Sequence, residues 1–264
     1  MATMQRWIEL EGVVNMRDLG GLPTSDGREV QPRRLIRSDN LQDLSPGSVA
    51  HLVDELRVTD VVDLRSNIEH EVTGEGPLRS SGLRHHHHSL IIEDADQRRT
   101  VEAALAFSFE DDEQPRAKPV RDADFWSRHY TGYITTRPDS LVAALDVISR
   151  SAGGTIVHCA AGKDRTGTVV ALALDVAGVP QEEIVADYVL SAERIEAIIG
   201  RLVDVEPYRR TLPSHTIDEQ RPRAEAMTGV LGWVRREHGD TAGWLRAQGW
   251  TAQDVERLRS RLVD

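Results

Sequence analysis

The chain has 264 residues, 39% of them apolar and 28% charged, and a net charge of −11. That composition belongs to a soluble globular protein, fits one α/β domain carrying an insertion, and leaves no broad basic face for nucleic acid. Its single cysteine, Cys159, excludes an intrachain disulfide and a multi-cysteine metal site.

In chain order, residues 13–22 (VVNMRDLGGL) read as a loop punctuated by Gly20 and Gly21. A short strand is expected over Arg34–Arg37, then a helix from Ser45-Pro46 to about Leu56, with Ser45 as cap. Val58–Leu64 is rich in branched residues and reads as a buried strand. Arg17, Asp18 and Arg65 are expected to tie the N-terminal loop to the sheet. Consecutive histidines on a strand alternate faces, so His85–His88 reads as a partly exposed strand and not as a metal site.

The stretch 94–124 is polar and proline-interrupted, and reads as a mobile insertion with one short helix near Arg99–Phe107. Helices follow over Phe125–Thr135 and Asp139–Arg150, the second with Leu141, Leu145 and Ile148 on one face. Thr155–His158 reads as a strand and Thr166–Ala177 as the helix after it. The apolar run around Val169–Val179 is too short to span a bilayer and is broken by Asp175. Ile195, Ile198, Ile199 and Leu202 form one stripe bounded by Pro207 and Pro213, which makes 192–220 a candidate lid. Helices are expected from about Pro222 to Glu237 and after Thr251, whose spacing to Asp254 fits a capping box.

The chemistry concentrates in Val157-His-Cys-Ala-Ala-Gly-Lys-Asp-Arg-Thr-Gly167. A strand delivers His158 and Cys159, a loop follows, and a helix begins near Arg165 and Thr166. Backbone N–H groups of such a loop, from Ala160 through Lys163, point inward at an anion, and Gly162 permits the tight turn. Arg165 adds a planar fork that matches two phosphate oxygens. The same N–H groups stabilise a thiolate, so Cys159 faces a bound phosphoryl group as a nucleophile, forming a cysteinyl-phosphate intermediate. Thr166 can offer its hydroxyl to the sulfur as it leaves. Asp164 is the nearest candidate general acid and Asp63, at the end of the VVDL strand, the second. Lys163 would meet a multiply phosphorylated group. The mechanism calls for no metal and no cofactor.

The segment HCAAGKDRTG resembles the signature loop of the protein-tyrosine phosphatase superfamily, and within it the atypical bacterial branch reading His-Cys-x-Ala-Gly-Lys-Asp-Arg-Thr-Gly. Asn15-Met-Arg-Asp-Leu-Gly-Gly21 is similar to that branch's Asn-Phe-Arg-Asp-Leu-Gly-Gly, with Met16 in place of the aromatic; Arg37-Ser38 and Asp63-Leu-Arg-Ser66 also sit where the branch has such pairs. The resemblance covers the chain from about residue 8 to the end. It implies a single α/β phosphatase domain, with a central, mostly parallel sheet flanked by helices and a helical lid or insertion. It makes Cys159 the nucleophile, Arg165 the clamp and Asp164 the acid. It also implies activity on phosphotyrosine proteins and on phosphoinositides; no Trp-Pro-Asp acid loop is present.

A dedicated phosphoinositide or inositol-phosphate phosphatase is the neighbouring reading, and the acidic net charge weighs against a membrane surface. A sulfur-transfer enzyme would not need Arg165 at this spacing. An inactive phospho-ligand-binding module would ordinarily have lost Cys159 or Arg165. With no secretory signal at the N-terminus the expected home is the cytoplasm, with signal-independent export left open; no feature sets an oligomeric state.

Overall fold

The computed structural model describes residues 6–93, 122–210, 212 and 216–264. Its sheet is built on three short runs of branched and apolar residues: β2 (Leu35–Ser38), β3 (Val58–Asp63) and β5 (Gly154–His158). Two edge strands complete it, β1 (Arg17–Asp18) and β4 (Arg84–His87), giving the order β1-β2-β5-β3-β4. Only the β1–β2 pair is antiparallel, with Arg17 opposite Arg37. The others are parallel, and β5 lies between β2 and β3 with Ile156 opposite both Ile36 and Val61.

Alternation along these strands feeds two cores. Ile36, Val61 and Ile156 face one, with Met16, Leu44, Leu52 and Leu78; Leu35, Val62 and Val157 face the other. Burial on both faces explains why the central strands are apolar nearly throughout. The first core is covered by α1 (Pro46–Ala50), whose cap Ser45 accepts the Ser48 N–H at 3.2 Å. The expected single helix to Leu56 widens beyond Ala50, where Leu56 N–H reaches back five residues to His51 O. A short helix not expected from the sequence, α2 (Asn67–Thr73), follows β3 behind a capping box between Ser66 and Glu69.

The second core is thicker. It takes α3 (Ala123–Thr136), α4 (Pro138–Arg150), α5 (Asp164–Ala177), α6 (Gln181–Leu190), α9 (Ala224–His238), α10 (Thr241–Ala247) and α11 (Ala252–Val263). Within α4, Leu141, Ala144, Leu145 and Ile148 are buried at helical spacing, and Thr251 with Asp254 forms the expected box before α11. Between α6 and α9 lie α7 (Ile195–Leu202) and the single turn α8 (Ile217–Gln220). The insertion expected over 94–124, with its helix near Arg99–Phe107, lies outside the described residues as far as residue 121. Of its last three positions, Ala123 and Asp124 belong instead to α3, and Asp122 caps that helix by accepting the Phe125 N–H. Among the described residues no helix is long and apolar enough to cross a membrane.

The N-terminal motif is fastened to the sheet through one carboxylate. Asp187 on α6 accepts Arg17 Nε at 3.0 Å, an Arg37 terminal nitrogen at 2.7 Å and Arg6 at 3.0 Å. Burial opposes the charge on Asp187, yet the arginines hold its carboxyl below the usual range. Asp187→Asn leaves two buried guanidiniums without their counter-charge. Urea denaturation should show a loss of about 3–5 kcal/mol, the cost of breaking a buried pair from one side; a loss below about 1 kcal/mol would mean that other groups carry the compensation.

Candidate active site

The loop Cys159–Lys163 leaves the carboxyl end of β5 and enters α5 at Asp164, at the edge of the sheet where parallel α/β folds bind ligands. The carbonyl groups of Ala160 through Lys163 each have a partner elsewhere in the fold. Ala160 O accepts the Asn40 N–H at 3.0 Å, and Ala161 O accepts Asn15 Nδ2 at 2.9 Å. Gly162 O accepts Arg37 at 2.7 Å, and Lys163 O accepts the Gly167 N–H at 2.8 Å. With the carbonyls turned outward, successive N–H groups turn inward and form an anion-binding concavity. Gly162 makes the turn at φ +65°, and a Cβ there would lie 2.4 Å from Ser38 O. No side chain caps α5, so its first N–H groups are left to the cradle.

Cys159, only 2% exposed, shares one cavity of about 100 Å³ with Ala160, Ala161, Lys163, Asp164 and Arg165. Arg165 pairs end-on with Glu69, one terminal nitrogen at 2.5 Å from Oε2 and the other at 2.8 Å from Oε1. That geometry leaves the Nε edge of the guanidinium for an anion. Burial weighs against the charge on Arg165, but Glu69 more than reverses it and pushes the pKa further up. Lys163 Nζ donates to Gln220 O at 2.5 Å, lies 3.7 Å from Asp164 and stands 5.4 Å from the centre of the Trp126 ring. Asp164 accepts a short hydrogen bond from the Tyr130 hydroxyl, which lies 2.9 Å from that of Tyr188. Burial first, and then the charge of Asp164, push Tyr130 well above its ordinary range, so it stays a donor.

The walls of the cavity are apolar and aromatic. Trp126, His129 and Tyr133 come from α3; Ile195, Ile198, Ile199 and Leu202, the stripe read from the sequence, come from α7. Tyr208 and Leu212 continue that wall, while Pro213 lies outside the described residues. Arg201 anchors α7 by an ion pair to Asp39 and a 2.9 Å contact to Asp43.

The remaining expected residues stand elsewhere. Asp63 does not line the cavity; it accepts Arg65 Nε at 2.9 Å and a second Arg65 nitrogen at 2.5 Å. Burial opposes its charge, but His158 and Arg65 hold its carboxyl below the usual range. Thr166 is buried, and its hydroxyl makes no hydrogen bond among the described residues, to sulfur or otherwise. His158 lies beneath the loop, 3.7 Å from Asp63. His85, His86 and His87 turn to Leu78 O, Asp60 and Arg65 O in succession. Among the described residues no three His, Cys, Asp or Glu side chains are placed to hold a metal ion.

A sheet with a cysteine-arginine anion loop at its carboxyl edge defines a class, the cysteine-dependent phosphatases. The profile of the tyrosine phosphatase family matches residues 8–264, and the chain belongs to that family. It is similar to the triple specificity protein phosphatase PtpB of Mycobacterium tuberculosis, 31% identical over 281 residues that cover 97% of this chain and 98% of that protein. A tyrosine-protein phosphatase of Nostoc commune is 32% identical over 44% of this chain and 41% of its own. The crystal structure of P. aeruginosa TpbA aligns over 72% of this chain and 86% of that one at 15% identity, with a TM-score of 0.30, too low to bear on the argument. The protein is a protein-tyrosine phosphatase.

Sequence reasoning missed Glu69, Tyr130, Tyr188 and Tyr208. Ser66-x-x-Glu69 is a visible capping box, but that role says nothing of Arg165. The tyrosines carry no local signal.

His158 yields a pH prediction. Burial lowers its pKa to about 4, against the opposing pull of Asp63. The folded state therefore favours neutral imidazole while the unfolded chain protonates below about 6.5. Stability should fall as pH drops from 6.5 toward 4, by up to about 3 kcal/mol. Unfolding measured across that window should show the slope in wild type and its flattening in His158→Asn; equal slopes would contradict the assignment.

Proposed function

We propose that the enzyme hydrolyses phosphotyrosine in two displacements. The Cys159 sulfur attacks phosphorus, the S–P bond forms as the ester P–O bond breaks, and the leaving phenolate takes a proton from Asp164. Water then attacks the cysteinyl phosphate, Asp164 accepts its proton, and inorganic phosphate and the thiolate are regenerated. Arg165 and the inward N–H groups hold the equatorial oxygens as charge redistributes. The observation that carries the reading is the meeting of Cys159, Arg165 and Asp164 in one cavity under an apolar wall. Asp164 serves as acid better than Asp63, because Asp63 is locked as a carboxylate on Arg65 and lies outside that cavity.

Tyr133 and Trp126, together with the α7 stripe, line a pocket suited to an aromatic phosphate ester. The stripe serves as a lid that excludes water around the reacting phosphorus. Activity extends to phosphoserine and phosphothreonine and to phosphoinositides: Lys163 adds a cation to the site, and the M. tuberculosis relative carries the name triple specificity. A reducing compartment suits a chain whose lone cysteine is the nucleophile.

Turnover of phosphotyrosine peptide, phosphoserine peptide and a soluble phosphoinositide should be compared with chelator present. Wild type should act fastest on phosphotyrosine, Cys159→Ser should lose turnover on all three, and Asp164→Asn should lose about a hundredfold or more on the peptides. Faster turnover of the phosphoinositide would favour the dedicated lipid phosphatase. Phosphate binding without turnover in wild type would favour a binding module.

A further inference from the structure

The wall of the pocket and the phosphate clamp meet at one buried carboxylate. Glu69 is fully buried, and four donors converge on it. The Ser66 N–H reaches Oε2 at 2.6 Å, beside one terminal nitrogen of Arg165. The other Arg165 nitrogen reaches Oε1 at 2.8 Å, and the Tyr208 hydroxyl donates to the same oxygen at 2.7 Å. Capping of α2 accounts for the bond to Ser66. It does not account for bonds to residues 96 and 139 positions away in the chain.

Tyr208 is buried among Ala160, Ile198 and Leu202, so its ring is part of the wall over the loop. Burial, and then the charge of Glu69, keep its phenol well above the ordinary range, so it remains a donor. A carboxylate that shares a face with one guanidinium can rock about its last torsion, which is broad and soft. Donors on both oxygens from two further directions fix its plane. The guanidinium paired end-on with it is fixed in turn, and its Nε edge keeps one aim.

We infer that Tyr208 is a positioning residue: from the pocket wall its hydroxyl orients Glu69, and Glu69 aims Arg165 at phosphate. Seating of the wall and readiness of the clamp are then one arrangement. This rests on the reading of Arg165 as the phosphate clamp.

The test uses inorganic phosphate, which has no ring to contact the wall. The full chain is alkylated at Cys159 with iodoacetamide across a phosphate titration, a readout that needs no turnover. Tyr208→Phe should raise the phosphate concentration giving half-protection about tenfold, the scale of one hydrogen bond to a charged group. Tyr208→Phe should stay folded at the assay temperature, its thermal midpoint lower by a few degrees for the one buried hydrogen bond lost, and protection is read against each variant's own alkylation rate without phosphate. In a Glu69→Gln background, adding Tyr208→Phe should change protection by less than about twofold, because the effect passes through the carboxylate. Equal protection of Tyr208→Phe and wild type would overturn the inference, as would full additivity of the two substitutions. Absence of protection in wild type would instead overturn the phosphate-cradle reading, and this inference with it.

Discussion

Four consecutive carbonyl groups, from Ala160 to Lys163, are bonded away from the centre of the turn they form, to the Asn40 and Gly167 N–H groups and to the side chains of Asn15 and Arg37. A peptide unit fixes its N–H opposite its carbonyl, so anchoring the oxygens outside presents the nitrogens inside. The N-terminal motif acquires its purpose from this. Asn15 reaches Ala161 O and Gly162 O with its amide, while its own oxygen accepts from Arg17 at 2.8 Å. Arg17 and Arg37 are held in turn by Asp187. A segment near residue 15 and a helix near residue 187 thus shape a loop between them in sequence, and only Gly162 can make its corner.

The acidic chain also has to bind a dianion. Its buried cations near the loop are compensated before any ligand arrives: Arg17 and Arg37 by Asp187, Arg165 by Glu69. Such pairing keeps the guanidiniums charged and oriented without leaving bare charge in a low-dielectric interior. In the proposed reaction, attraction for phosphate comes from the uncapped start of α5, the N–H groups of the loop and the remaining edge of Arg165. Short-range donors of this kind work even where the long-range field of the protein is unfavourable.

The placing of Cys159, Gly162 and Arg165 on one loop after a strand was legible because strand end, turn and helix start fall within eleven consecutive residues. The branched run Val58–Asp63 and the stripe of α7 were legible by period. By contrast β1 is two residues long and has no period to read. The start of α5 at Asp164 was missed because no Ser, Thr, Asp or Asn side chain caps it, and an anion site has no use for such a cap. Glu69, Tyr130, Tyr188 and Tyr208 were invisible for a different reason. Each acts on a partner at least 34 positions away, and their placement depends on packing that no local pattern encodes.

The central claim is a covalent phosphoryl group on Cys159, and rapid acid quenching of the enzyme during turnover of a phosphotyrosine peptide tests it most directly. Mass spectrometry of the quenched chain should find phosphate on the peptide containing Cys159 in wild type. Turnover by wild type with no phosphocysteine, or phosphate carried on another residue, would contradict the account.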